Sequence, residues 1–224
     1  INFNIDFTIM SIAIVFPLVF SITSAYQRRQ DAINLFLEFR HKIIDLTNIF
    51  YAVEGIKEKD YNELFTLLQQ VQSLLIKYLV FENDEKIFDQ IRSQRKQVLY
   101  LIDSHKKLFN EREKDSLIRI KNELFLSAEK VRGIKIHGTP ISLKKYCLIF
   151  IYFSPFLYNS QSFVSSSSSN IENFMPLFFV LVVSFVLMAL YNIQDYIENP
   201  FDQEGLDDLK IDNLKVGKVE GLFN

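Results

Sequence analysis

Ile12, Phe16 and Phe20 stand four residues apart inside an apolar run, and a helix there would set them nearly one above another as a bulky stripe. Lipid, a neighbouring helix or the axis of a pore would each suit such a stripe. On the axis of an oligomer it would form a dry constriction that stops ions by dewetting until it widens. Phenylalanine suits an anion in that position, because the ring edge carries partial positive charge. Groups for covalent or metal chemistry are few. His41, His105 and His137 are scattered, with no second ligand at a useful spacing, which argues against zinc and against catalysis. A single cysteine, Cys147, excludes an internal disulfide, and its apolar neighbours predict an inert packed thiol. No glycine-rich phosphate loop or nucleophile motif is present, so the sequence does not read as an enzyme.

The stripe needs an element to hold it. From Asn4 to Tyr26 the only charge is Asp6, and at 1.5 Å per residue this run is long enough to cross a hydrocarbon core of ~30 Å. It reads as a membrane span. Its positive charges, Arg28 and Arg29, follow the apolar residues, the reverse of a signal peptide. The chain opens at Ile1 rather than Met, and a segment upstream of it is expected. Over all 224 residues the hydrophobic share is 49% and the net charge −2, with no basic face to engage nucleic acid. The apolar residues are unevenly spread, which predicts four regions: a transmembrane helix over 1–29, a helical bundle over 30–140, transmembrane helices over 141–193 and an acidic belt over 194–224.

Ala32, Leu35, Phe36, Phe39, Ile43, Leu46, Ile49, Phe50 and Val53 recur at threes and fours, predicting an amphipathic helix that continues the first span as one rod or as two joined by a kink near Pro17. Gly55 marks a turn. A second helix is expected from Tyr61 to Phe81, a third from a cap at Asp84 through Phe109, and a fourth from a cap at Asp115 to near Gly133. Their stripes need one another for burial, so they form a bundle. The next apolar stretch, Tyr146 to Tyr158, is interrupted by Pro155 and short for a span, which predicts a re-entrant or broken helix unless the chain stays helical through Phe163. Ser165 to Asn170 reads as a loop, and Asn173 to Tyr191 as the clearest span in the chain.

Arg28 and Arg29 end the first span while Lys144 and Lys145 precede the second apolar region, so the positive-inside bias puts the bundle and the tail on the cytoplasmic side and the serine loop opposite. A cell membrane and an organelle membrane suit this topology equally. The tail keeps Leu206, Leu209, Ile211 and Leu214 among its charges and is expected to lie across the bundle of its own or a neighbouring subunit, with Phe201 as an anchor.

Several of these pieces, in this order, resemble the bestrophin family of anion channels. The first span is similar to the family's pore-lining helix, whose three bulky apolar residues at four-residue spacing would be Ile12, Phe16 and Phe20, with Arg28 following. Glu129-Lys130-Val131-Arg132, then Gly138-Thr139-Pro140-Ile141-Ser142 and Tyr146, resembles the family's Glu-Arg-Ile … Thr-Pro-x-Pro … Tyr element. Ile197-Glu198-Asn199-Pro200-Phe201, then Glu204, Asp207 and Asp208, resembles its Asn-Pro-Phe and acidic cluster. The chain departs from the family in having no tryptophan after the pore helix, where Arg29 and Gln30 stand, and the hydrophobic segment that precedes the family's pore helix is not supplied by residues 1–224. The resemblance implies an all-α integral membrane protein with transmembrane helices and a cytosolic helical bundle. It also implies a pentameric channel in a lipid bilayer that passes chloride.

In eukaryotic bestrophins carboxylates near this place form a calcium clasp beside main-chain carbonyls. The resemblance therefore makes Glu204, Asp207 and Asn199 candidate Ca2+ ligands, with solvation of a surface turn or pairing with basic residues of the bundle as the competing role. A second class of function stays open. The chain would then be a non-conducting bestrophin-fold scaffold or accessory subunit of a larger membrane complex.

Overall fold

The computed structural model describes residues 7–81, 84–138, 140–165, 170–201 and 216, without side chains for 7–11, 157–165 and 170–177. Six helices account for nearly all of them: α1 (Phe7–Tyr51), α2 (Glu58–Val80), α3 (Glu85–Ser104), α4 (Glu111–Ile136), α5 (Ile141–Ser165) and α6 (Asn170–Glu198). No strand occurs among the described residues. The chain divides into two compact units, one of Ile1–Arg29 with Gly138–Asn199, the other of Gln30–His137 with Pro200–Asn224.

The second unit is a helical bundle built on the last part of α1. Ala32, Phe36, Phe39, Ile43, Leu46 and Phe50 are all fully buried there, the threes and fours of a single helical face. They share a core with Leu64, Leu68, Val71 and Leu75 of α2, Phe88 and Val98 of α3, and Leu117, Leu124 and Val131 of α4. Each large side chain so buried stabilises the bundle by ~1.5–3 kcal/mol. Polar bonds fix the pairing of helices around this core. Lys42 of α1 meets Glu123 of α4 at 2.6 Å, and its hydrogen bond is the chief reason the Glu123 carboxyl is held below its ordinary value. The Arg92 and Arg132 guanidinium groups lie over the Phe88 ring, 5.2 and 4.8 Å from its centroid, and both arginines also bond Glu129. Lys135 of α4 donates to the Tyr78 and Leu79 carbonyls, which the end of α2 would otherwise leave without partners, and burial pushes its ammonium below the ordinary value.

Several helix ends differ from the sequence expectation. α3 stops at Ser104, not near Phe109, because the Ser104 hydroxyl donates to the Leu101 carbonyl at 2.7 Å and the His105 ring closes on the same oxygen at 3.0 Å. Asn110, not Asp115, caps α4. Its side chain accepts from the Glu113 N–H at 2.8 Å, and the Glu113 carboxylate accepts from the Asn110 N–H at 3.0 Å. Asp115 falls in the second turn, too late for a cap. The same helix passes Gly133 and ends at Ile136. Asp84 does cap α3, accepting from the Lys86 N–H at 3.0 Å. Gly55 turns the chain between α1 and α2 with φ +92°, where a Cβ would also lie 3.2 Å from Leu108.

In the other unit the first part of α1 packs with α5 and α6. Ile14, Leu18, Cys147, Ile151 and Leu187 form its buried apolar cluster, so Cys147 is a packed thiol. α1 runs unbroken through Pro17. α5 is likewise one continuous helix of 25 residues through Pro155, which corrects the expectation of a re-entrant or broken element. Pro155 cannot donate to the Ile151 carbonyl one turn back, but the buried Ser154 hydroxyl donates to it at 2.8 Å. The helix therefore keeps its acceptor satisfied where a break was expected. Ser165 ends α5 and Asn170 begins α6; the rest of the expected serine loop lies outside the described residues.

Of the tail beyond α6, Asn199, Pro200, Phe201 and Val216 are described. The last three are buried, and Phe201 and Val216 belong to the bundle core, where the Val216 N–H donates to the Gln72 side-chain oxygen at 3.1 Å. These contacts and the α4 cap can each be tested by one substitution. Phe201→Ala should lower the unfolding free energy of the detergent-solubilised chain by ~3–5 kcal/mol, as loss of a packed phenyl ring does. A loss below ~1 kcal/mol would mean that the bundle closes without Phe201. Asn110→Ala should cost about 1 kcal/mol and speed amide exchange in the first turn of α4 roughly fivefold, while Asn110→Asp, which keeps the acceptor, should not.

Candidate functional site

The candidate site begins on α1, whose two faces have opposite surroundings. Ile14, Leu18, Ser21 and Ala25 are fully buried against their own unit, whereas Ile12 is 57% exposed, Phe16 60% and Phe20 58%. No described helix of the same chain covers the stripe. A neighbouring helix, if that is what covers the stripe, belongs to a partner chain; lipid and a pore axis suit it equally. Val15 and Val19 widen the exposed apolar face at its flank. The Phe16 and Phe20 rings meet edge to face, centroids 4.8 Å apart and planes at 80°, so each is held by the other rather than loose in solvent.

Two turns past the stripe, the middle of α1, the start of α5 and the end of α6 bring four charges together. The Arg28 guanidinium of α1 lies 3.9 Å from the Glu198 carboxylate of α6, and the Lys144 ammonium of α5 lies 3.2 Å from Asp195 and bonds Glu198 as well. Gln194, one turn back on α6, donates to Glu198 at 3.4 Å. Gly138 backs the cluster so closely that a Cβ there would come within 3.1 Å of the Glu198 carboxylate. Two cations and two anions sum to no net charge; Arg28, Lys144 and Glu198 are shielded enough to pair more strongly than at an open surface, while Asp195 is largely exposed. The sequence reading used Arg28 and Lys144 as topology markers and missed this arrangement. The available signal was Asp195 and Glu198, three residues apart at the end of an otherwise apolar helix.

The remaining expected residues are not drawn to the stripe. Asn199 is exposed just past the end of α6, while Glu204 and Asp207 lie outside the described residues, so of the candidate calcium set only Asn199 is placed. His41 pairs with Asp45 at 3.6 Å and His105 with Asp60 at 3.3 Å, both in the bundle and distant in sequence from one another. Among the described residues no group of three His, Cys, Asp or Glu side chains could hold a metal. A cleft of about 580 Å³ in the bundle is lined by Gln69, Gln72, Ser73, Ile76, Lys77 and Phe81 with Val216.

No family model and no curated protein matches the sequence. The fold does match solved structures. A bacterial bestrophin homologue from Klebsiella pneumoniae superposes with a TM-score of 0.76 at 13% identity, over 93% of this chain and 81% of that one. A point variant of the same homologue gives a TM-score of 0.76 at 13% identity over 93% and 82%. A further crystal structure, of a variant described as a membrane protein, gives 0.75 at 14% identity over 93% and 81%. In keeping with a membrane setting, Phe178–Glu198 is long and apolar enough to cross a bilayer and is mostly unburied by its own chain. All-α, with apolar helices and a helical bundle in the same order as those membrane proteins, the chain has the bestrophin fold.

Proposed function

We propose that this chain is one subunit of a homo-oligomeric, pentameric anion channel in which Ile12, Phe16 and Phe20 of each copy line a hydrophobic neck and chloride is the permeant ion. The observation that carries this reading is the exposure of the whole stripe on a helix whose opposite face is fully buried. In water three such side chains together forgo several kcal/mol of burial at ~1.5–3 each, so a second surface or an axis of symmetry has to account for them. The bestrophin fold supports the axis, because it supplies the family in which this stripe lines a pore. The neck holds no charged or hydrogen-bonding side chain, and it therefore acts on passage by wetting and drying rather than by binding the ion.

The test is anion flux through the purified chain in liposomes, beside a variant with Ile12, Phe16 and Phe20 all replaced by Ala. The variant should assemble normally and leak, with raised flux. Unchanged flux with normal assembly would remove the three residues from the axis. Absence of flux from every form would favour a non-conducting scaffold that has kept the fold.

A further inference from the structure

Pro17 lies inside the stripe, directly after Phe16, and its ring removes the N–H that would otherwise bond the Ala13 carbonyl. That carbonyl is not left open. The Tyr146 hydroxyl of α5 donates to it at 3.4 Å, and the Tyr146 ring is itself seated against Phe150, centroids 4.5 Å apart. Pro155, inside α5, makes the contrast. At Pro155 the replacement donor, Ser154, sits on the same helix as the orphaned carbonyl, so α5 repairs itself. At Pro17 the donor comes from another helix, so the repair of α1 depends on where α5 stands.

We propose that the Tyr146 hydroxyl clamps the proline hinge of α1 and thereby lets α5 set the bend between Ile12 and Phe20. Ile12 lies on one side of the missing bond and Phe20 on the other, so a change of bend moves the two ends of the stripe relative to each other. Tyr146 is a positioning residue in this scheme: it reaches the Ala13 backbone and touches no ion. Its consequence for conduction rests on the channel reading above, but the clamp itself does not.

A double-mutant cycle separates the two. Tyr146→Phe keeps the ring and its Phe150 contact and removes only the hydroxyl, while Pro17→Ala restores an N–H to the Ala13 carbonyl and makes the clamp redundant. Amide exchange over residues 12–21 of the full chain in nanodiscs reads the hinge without reference to conduction. Tyr146→Phe should speed that exchange roughly two- to tenfold when Pro17 is present, the range one hydrogen bond commands, and should change nothing in the Pro17→Ala chain. The same pattern should appear in anion flux, altered by Tyr146→Phe alone and not in the double variant. Equal acceleration in both backgrounds, or none in either, would overturn the clamp. If exchange follows the cycle and no form passes anions, the channel reading fails and the clamp stands; if flux is present and exchange ignores the cycle, the clamp fails and the channel reading stands.

Discussion

One buried seam along α1 is the constraint from which the other features take their places. Ile14, Leu18, Ser21 and Ala25 are buried in the first unit and Ala32, Phe36, Phe39, Ile43, Leu46 and Phe50 in the second, and the spacing of threes and fours passes from one set to the other through residue 28. A strict repeat of seven would drift around a helix of 3.6 residues per turn by ~20° each heptad. Here the steps from Arg28 to Ala32 and from Ala32 to Phe36 are both four, which returns the seam to phase. α1 thus contributes one buried set of side chains to each unit. Arg28 occupies a seam position where an apolar side chain would be expected, and its pairing with Glu198 allows a guanidinium to sit there.

The seam also explains why the stripe is left bare. With 14, 18, 21 and 25 committed inward, positions 12, 16 and 20 are turned outward, and Val15 and Val19 complete an outer face that is as apolar as the inner one. A helix apolar on all sides belongs in lipid or among other helices. In such surroundings a backbone carbonyl without a donor is costly, since no water stands ready to replace it. That cost decides how Pro17 and Pro155 are accommodated. The carbonyls that lose their partners to these two prolines, Ala13 and Ile151, are each met by a side-chain hydroxyl, and both helices stay whole.

The periodic features were legible in the sequence because side-chain spacing encodes them directly: the stripe on α1, the seam from Ala32 to Phe50, the turn at Gly55 and the cap at Asp84. What was misread depended on bonds between residues whose pairing the spacing does not reveal. Pro155 looked like a break because the rule concerns the lost N–H, while the remedy, the neighbouring Ser154 hydroxyl, is visible only once its rotamer is known. Asp115 looked like a cap because it precedes an apolar run, but Asn110 with Glu113 three residues on satisfies two donors at once and starts the helix earlier. The union of Arg28, Lys144, Asp195 and Glu198 joins residues far apart in the chain, and its one local sign is the pair Asp195 and Glu198 at the end of an apolar helix, which does not name their partners.

That union bears on how a pore of this kind would prefer anions. Arg28 follows the stripe by two turns, and an unpaired ring of such arginines would draw anions by its field. Here its charge is matched by Glu198, and that of Lys144 by Asp195 and the same glutamate, so the four groups sum to zero in each subunit. In the proposed channel the stripe is a further source of preference for anions. Phe16 and Phe20 meet edge to face, and the rim of an aromatic ring carries partial positive charge. A ring edge offers a weak, short-range attraction with no site deep enough to hold the ion. That is the combination a conducting constriction requires, because an ion bound tightly at a neck would block it.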